Sequence, residues 1–361
     1  MSDEVSRPIA DDVAKEDTQE GAHAARVDCT NSATARVKTG ANVPYLTRCT
    51  MYVLGIDAGG TKTVCLLADE SGHVLAESHG GGANLQASGE LGVEKVLHHV
   101  MEETIGTRDR RPAAICLGIA GVDRPADARA VEGIMRRIGF KTRVVVVNDA
   151  LIALVAGTGE GPGVVVVAGT GSIAYGVDAE RRAGRAGGWG YLLGDEGGAF
   201  WIGRAALAAV VREFDGRGPA TRLTELVLAE LRLANPSELI HAIYDSGLQR
   251  PLVAGLAGLV QRATTAGDAV ATDILARAAQ ELVSAAASVI SQLGMRGEVF
   301  PTILSGGTFR AIPWLAADVR ARMAEVAPRS EVRLLSVEPA RGAVTLALAA
   351  ARGPLVLPSY R

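Results

Sequence analysis

Three times in this chain an apolar, strand-like run ends on a short loop of glycine and hydroxyl residues. Tyr52-Val-Leu-Gly-Ile56 leads into Asp57-Ala-Gly-Gly-Thr-Lys-Thr63, Gly163-Val-Val-Val-Val167 into Ala168-Gly-Thr-Gly-Ser172, and Thr302-Ile-Leu304 into Ser305-Gly-Gly-Thr308. Short β-branched runs bounded by such residues read as strands. Glycine supplies the positive φ and the close backbone approach that a tight strand-end turn needs. A single loop of this kind suits an ordinary hairpin. Three of them predict a sheet-based fold whose strand ends converge on one ligand, and successive backbone N–H groups suit the oxygens of a nucleoside triphosphate.

The pattern between the loops supports an α/β fold with mixed sheets. Strands are expected at 52–57, 63–69, 73–79, 113–119, 143–148, 163–168, 172–178, 300–304 and 332–336. Helices are expected at 89–104, 126–138, 149–157, 310–326 and 340–351, with 196–293 mostly helical. A three-strand meander followed by β-α-β crossovers gives a mixed sheet with helices on its faces. The strand–glycine turn–strand opening at Tyr52 returns at Gly163, which predicts two related α/β domains facing a cleft: 51–158 and 159–361, divided where glycines cluster near 155–162. Residues 1–50 are polar and without apolar period, and read as a disordered tail, with Met51 an alternative start.

Composition narrows the function. The formal net charge of −3 and the lack of a basic stripe disfavour nucleic acid as a partner. The apolar run 268–293 carries Asp273, Arg277 and Glu281 and reads as an amphipathic helix, so no membrane partner is expected. Cys29, Cys49, Cys65 and Cys116 form no C-x-x-C pair and have no histidine at metal-ligand spacing. With no signal-peptide core, they point to the cytoplasm.

Two acidic positions follow strands or glycines. Asn148-Asp149 closes the strand 143–148, where α/β proteins place ligands. Asp149 can take a proton from a hydroxyl attacking a phosphate, or cap the helix that follows. In Gly187-Gly-Trp-Gly-Tyr-Leu-Leu-Gly-Asp-Glu-Gly-Gly198, Trp189 can cover an apolar sugar face and Asp195 can accept from sugar hydroxyls. Asn84, after Gly81-Gly-Ala83, can pair with hydroxyl or amide groups. Asp57 can hold Mg²⁺ at the end of its strand. Asp123 is expected to cap helix 126–138.

Taken together, Asp57-Ala-Gly-Gly-Thr61, Ala168-Gly-Thr-Gly-Ser172 and the run from Gly187-Gly-Trp-Gly190 through Gly194-Asp-Glu-Gly197 to Trp201-Ile202 resemble the BadF/BadG/BcrA/BcrD ATPase family, in its N-acetylglucosamine kinase-like branch. The resemblance covers residues 51–350. It implies an actin/hexokinase-type fold of two ribonuclease H-like domains closing on Mg²⁺·ATP and an amino sugar, with Asp149 as general base at the 6-hydroxyl. It implies sugar contacts at Asn84, Asp149, Ser172, Gly188, Trp189, Gly190 and Asp195. The nucleotide would lie on Gly59, Gly60, Thr61, Lys62, Gly169, Thr170, Gly171, Gly306 and Gly307, with Asp57 at the metal. Family kinases are commonly homodimers. Glucosamine, N-acetylmuramic acid or glucose stand as alternative acceptors. A second branch activates radical dehydratases through an interface [4Fe–4S] cluster, which the two core-strand cysteines here disfavour.

Overall fold

Strand β1 (Tyr52–Ala58) is buried along almost its whole length, as a near-continuous apolar run requires. It pairs antiparallel with β2 (Lys62–Asp69), which pairs antiparallel with β3 (Val74–Gly81). On its other side β1 runs parallel to β4 (Pro112–Ile119), and β4 to β5 (Arg143–Asn148). The order β3-β2-β1-β4-β5 returns in the second sheet. There β6 (Gly163–Ala168), β7 (Ser172–Val177) and β8 (Arg182–Gly187) form the meander, and β9 (Pro301–Ser305) and β10 (Glu331–Leu334) the parallel side. This is the duplicated α/β arrangement expected. The computed structural model describes residues 51–106, 110–122, 125–245 and 249–360. The expected tail 1–50 and Asp123 lie outside the described residues.

Helices α1 (Leu85–Ile105), α2 (Pro125–Ile138) and α3 (Asp149–Thr158) follow the strands of the first sheet. A non-helical Gly89 interrupts α1, close to the expected start of that helix. The long helical stretch comprises α4 (Ala199–Phe214), α5 (Leu223–Leu231), α6 (Leu239–Tyr244), α7 (Gln249–Gly255), α8 (Ala257–Thr265) and α9 (Ala269–Leu293). By length and composition α9 could cross a membrane, but its apolar stripe, including Ile274, Leu275, Leu282 and Val289, packs into the core under β7 and β8. The expected helix 310–326 is two helices, α10 (Gly307–Ala311) and α11 (Pro313–Val326). Ile312 between them is extended (φ −127°, ψ 76°), as a residue before proline prefers. The last helix is α12 (Ala340–Arg352).

Helix α3 decides where the site lies. Ala150-Leu151-Ile152-Ala153-Leu154-Val155 is apolar all round, so the helix has no face for water and is buried. It packs against β4 and β5 on one side and β6, β7 and β9 on the other. Helix α12 follows the second sheet in sequence yet packs on β1, β2, β4 and α3. Glycine makes both contacts possible. A Cβ on Gly55 of β1 would lie 2.4 Å from the Val344 nitrogen, and one on Gly342 would lie 1.9 Å from the Ile152 carbonyl.

Candidate active site

The strand ends of both sheets open onto one cleft of about 690 Å³. Every residue that the sequence marks as a site position lines it: Asp57, Gly59, Gly60, Thr61, Lys62 and Asn84 from the first half, then Asp149, then Gly169 to Ser172, Gly188 to Gly190, Asp195, Gly306 and Gly307 from the second.

The turns are held by backbone interlocks. In the first half, the Gly59 N–H donates to the Lys62 carbonyl at 3.0 Å, and the Ala83 N–H donates to the Gly59 carbonyl at 3.0 Å. Gly82 passes so near that a Cβ there would sit 2.3 Å from the Gly60 oxygen. In the second half, the Ala199 and Phe200 N–H groups donate to the carbonyls of Gly169 and Thr170 at 2.9 and 3.0 Å. The Thr308 hydroxyl donates to Gly169 O at 2.8 Å. Gly306, at φ 110°, lies so close that a Cβ would meet the Ala168 oxygen at 2.2 Å. Thr61 and Thr170 bring their hydroxyl oxygens to 3.5 Å, so the two turns face each other.

Asp149 begins α3, the helix buried between the sheets. The side chain of Asn148 caps that helix, accepting from the Ala150 N–H at 2.8 Å. The capping role open to Asp149 in the sequence therefore belongs to its neighbour. The helix N-terminus favours a carboxylate at this position. Asp57 is buried and sits within reach of Asp149's charge. Burial first, then Asp149, pushes the Asp57 carboxyl up to about 7, with Lys62 opposing and Glu338 adding to the rise. Lys62 donates to Glu338 at 2.8 Å.

Asp195 is held at φ 61°, a left-handed conformation that aspartate tolerates better than most residues. It accepts from the Gly190 N–H at 3.1 Å and from the Ser172 backbone, while burial lifts its carboxyl above the usual range. Ser172 ties down the same loop by donating its hydroxyl to the Glu196 carbonyl at 2.6 Å. Gly171 exists for this carboxylate: a Cβ there would lie 2.2 Å from Asp195 Oδ2. Trp189 is 61% exposed, with the Arg185 guanidinium 5.0 Å over its ring.

Three charged lining residues, Arg250, Arg310 and Glu338, escaped the sequence reading. Glu338 stands two residues before α12, as Asp149 stands at the start of α3, so an acid ahead of a helix was a usable signal. Arg250, on α7, stacks 5.1 Å over the Tyr191 ring and comes to 3.8 Å from Asp195. Nothing in the helical stretch around it marks Arg250 beforehand.

Magnesium is usually held by one or two carboxylates together with substrate phosphates. Among the described residues no cluster of three or more metal-binding side chains forms a protein cage. The Asp57 carboxyl, raised by burial first and then by Asp149, is of the kind that a cation shared with phosphate would relieve.

A relative from Clostridium acetobutylicum, an N-acetylmuramic acid/N-acetylglucosamine kinase, is 36% identical over 299 residues, spanning 82% of this chain and 98% of that protein. An N-acetyl-D-glucosamine kinase of Dictyostelium discoideum is 35% identical over 310 residues, spanning 82% and 97%. The solved structure of a candidate N-acetylglucosamine kinase from Chromobacterium violaceum superposes with a TM-score of 0.67 at 26% identity, over 82% of this chain and 99% of that one. A glucokinase from Streptomyces griseus shares the fold at 18% identity, with a TM-score of 0.56. The family profile of the BadF/BadG/BcrA/BcrD ATPases matches residues 54–347, and the chain belongs to that family.

Proposed function

We propose that this protein is an ATP-dependent sugar kinase that phosphorylates an amino sugar, chiefly N-acetylglucosamine at its 6-hydroxyl. The observation that carries the reading is the meeting of three glycine turns and Asp149 in one cleft. The two relatives of matching length are amino-sugar kinases.

In this reading the sheets belong to two domains, divided at 158/159, that close on the substrates and exclude water. Backbone N–H groups of the two turns other than those of Gly59 and Gly169, which close the turns themselves, bind the triphosphate with Thr61, Thr170 and Lys62. Gly306 and Gly307 line the nucleoside end. Asp57 holds magnesium, whose charge offsets that of the phosphates. Asp195, Asn84, Ser172 and the Gly188-Trp-Gly190 strip hold the sugar. Asp149 accepts the proton from the acceptor hydroxyl as its oxygen attacks the terminal phosphorus. The reading places the protein in the cytoplasm as a homodimer, which light scattering on the purified protein tests.

The cluster-bearing activator branch finds no support here. Cys65 and Cys116 are buried in β2 and β4, and burial pushes the Cys65 thiol up to about 12. Neither of these two, the cysteines among the described residues, is placed to hold an interface cluster. A coupled ADP-release assay against a panel of amino sugars and hexoses tests the kinase reading. Turnover with amino sugars is expected, and its absence with every sugar would end it.

A further inference from the structure

The acceptor end of the cleft holds a cation that binding a neutral sugar does not require. Arg250 lines the cleft beside Tyr191 and Asp195. Its guanidinium lies over the Tyr191 ring with 5.1 Å to the centroid. Its Nε is buried and has no hydrogen-bond partner among the described residues. The nearest carboxylate oxygen, Asp195 Oδ2, is 3.8 Å away, beyond hydrogen-bond distance. Asp195 already takes the N–H groups of Gly190 and Ser172. A guanidinium keeps its charge and presents donors in a planar fork that matches a carboxylate. Stacking on tyrosine fixes the plane of that fork. Leu192 and Leu193, 80% and 79% exposed on the same loop, give an apolar border that would tolerate a bulky substituent.

We propose that Arg250 is a specificity-determining residue through which this site accepts an amino sugar bearing a carboxylate, of the N-acetylmuramic acid type, as well as a neutral one. The proposal rests on the amino-sugar kinase reading. Arg250 pairs with the acid of the acceptor, and the reacting hydroxyl stays at Asp149. A role confined to orienting Asp195 would instead affect every acceptor alike.

The test compares kcat/KM for N-acetylmuramic acid with that for its uncharged carboxamide, which keeps the bulk and loses the charge. The wild-type protein is expected to favour the acid by roughly 10–100-fold, the scale of a charge-assisted hydrogen bond. Arg250→Gln is expected to erase most of that ratio, and Arg250→Lys to restore part of it. Equal use of acid and amide by the wild-type protein overturns the proposal, whether or not a variant folds. So does an Arg250→Gln protein that loses both substrates in equal proportion. Phosphorylation of N-acetylglucosamine without N-acetylmuramic acid overturns the role of Arg250 and leaves the kinase reading standing. Failure with every amino sugar is a failure of the kinase reading itself.

Discussion

The two glycine turns at the centre of the molecule share a topology and differ in charge. Each joins the first two strands of a meander, and each is overlapped by the segment that follows the third strand, Gly82-Ala83 in one half and Gly198 to Phe200 in the other. In register, Asp57 precedes the last paired residue of β1, and Val167 stands at the matching position of β6. The first turn carries Lys62 and lies close to Asp149. The second is uncharged and instead makes room, at Gly171, for the Asp195 carboxylate. A duplicated scaffold thus supplies backbone N–H groups twice and charge once. The charges that the second half brings to the cleft, Asp195, Arg250, Arg310 and Glu338, stand outside its turn.

That asymmetry can be broken residue by residue. Asp149→Asn is expected to lower kcat by roughly 10²–10⁴-fold, the usual scale for a general base, measured by ADP release at saturating substrates. Activity near that of the wild type would remove Asp149 from the mechanism.

Asp57→Asn is the next largest. The Asp57 carboxyl is raised from 3.8 to about 7 in the folded protein, so the native state binds the proton more tightly than the unfolded chain. Stability from this group is complete below about pH 4 and is lost as pH rises through about 7. The nucleotide-free Asp57→Asn protein should therefore gain on the wild type across pH 4–7, by an amount on the order of a few kcal/mol at pH 8. Thermal melts over that range would show parallel curves if the carboxyl titrates normally.

Gly171→Ala sets the two turns against each other. Its methyl would overlap the Asp195 carboxylate, whereas a methyl at Gly60 meets nothing within 4 Å. Gly171→Ala is expected to cost about 1–3 kcal/mol of stability and to raise the acceptor KM. Gly60→Ala should hold the stability of the nucleotide-free protein within about 0.5 kcal/mol. Equal losses in chemical denaturation would mean that the turns are more alike than their neighbours suggest. The smallest effect is expected from Thr170→Val, which removes the hydroxyl facing Thr61 and should cost less than about 1 kcal/mol in the same assay.

Much of this was legible beforehand because continuous β-branched runs mark strands: β5 and β6 lie at the expected residues. Strand β8 was missed because Arg182-Ala-Gly-Arg-Ala-Gly187 has no apolar alternation, and its pairing with β7 comes from the fold rather than from local preference. The site positions could be read where glycine and an acid follow a strand. Arg250 could not, since an arginine among helices looks like surface until the chain brings Tyr191 beneath it. Asn148 shows the limit of local reading: two adjacent residues could both cap a helix, and only the backbone decides which does.

The packing of α12 on β1 and β4 also sets the order in which the molecule can be finished. A ribosome delivers the first sheet early, with Gly55 and its neighbours awaiting a helix encoded far downstream. Until that helix emerges, one apolar side of the first-made half stays open to water or to a chaperone. Shortening the chain ahead of residue 340 should therefore damage the half that contains Asp57 and Asp149, although every residue of that half would still be present.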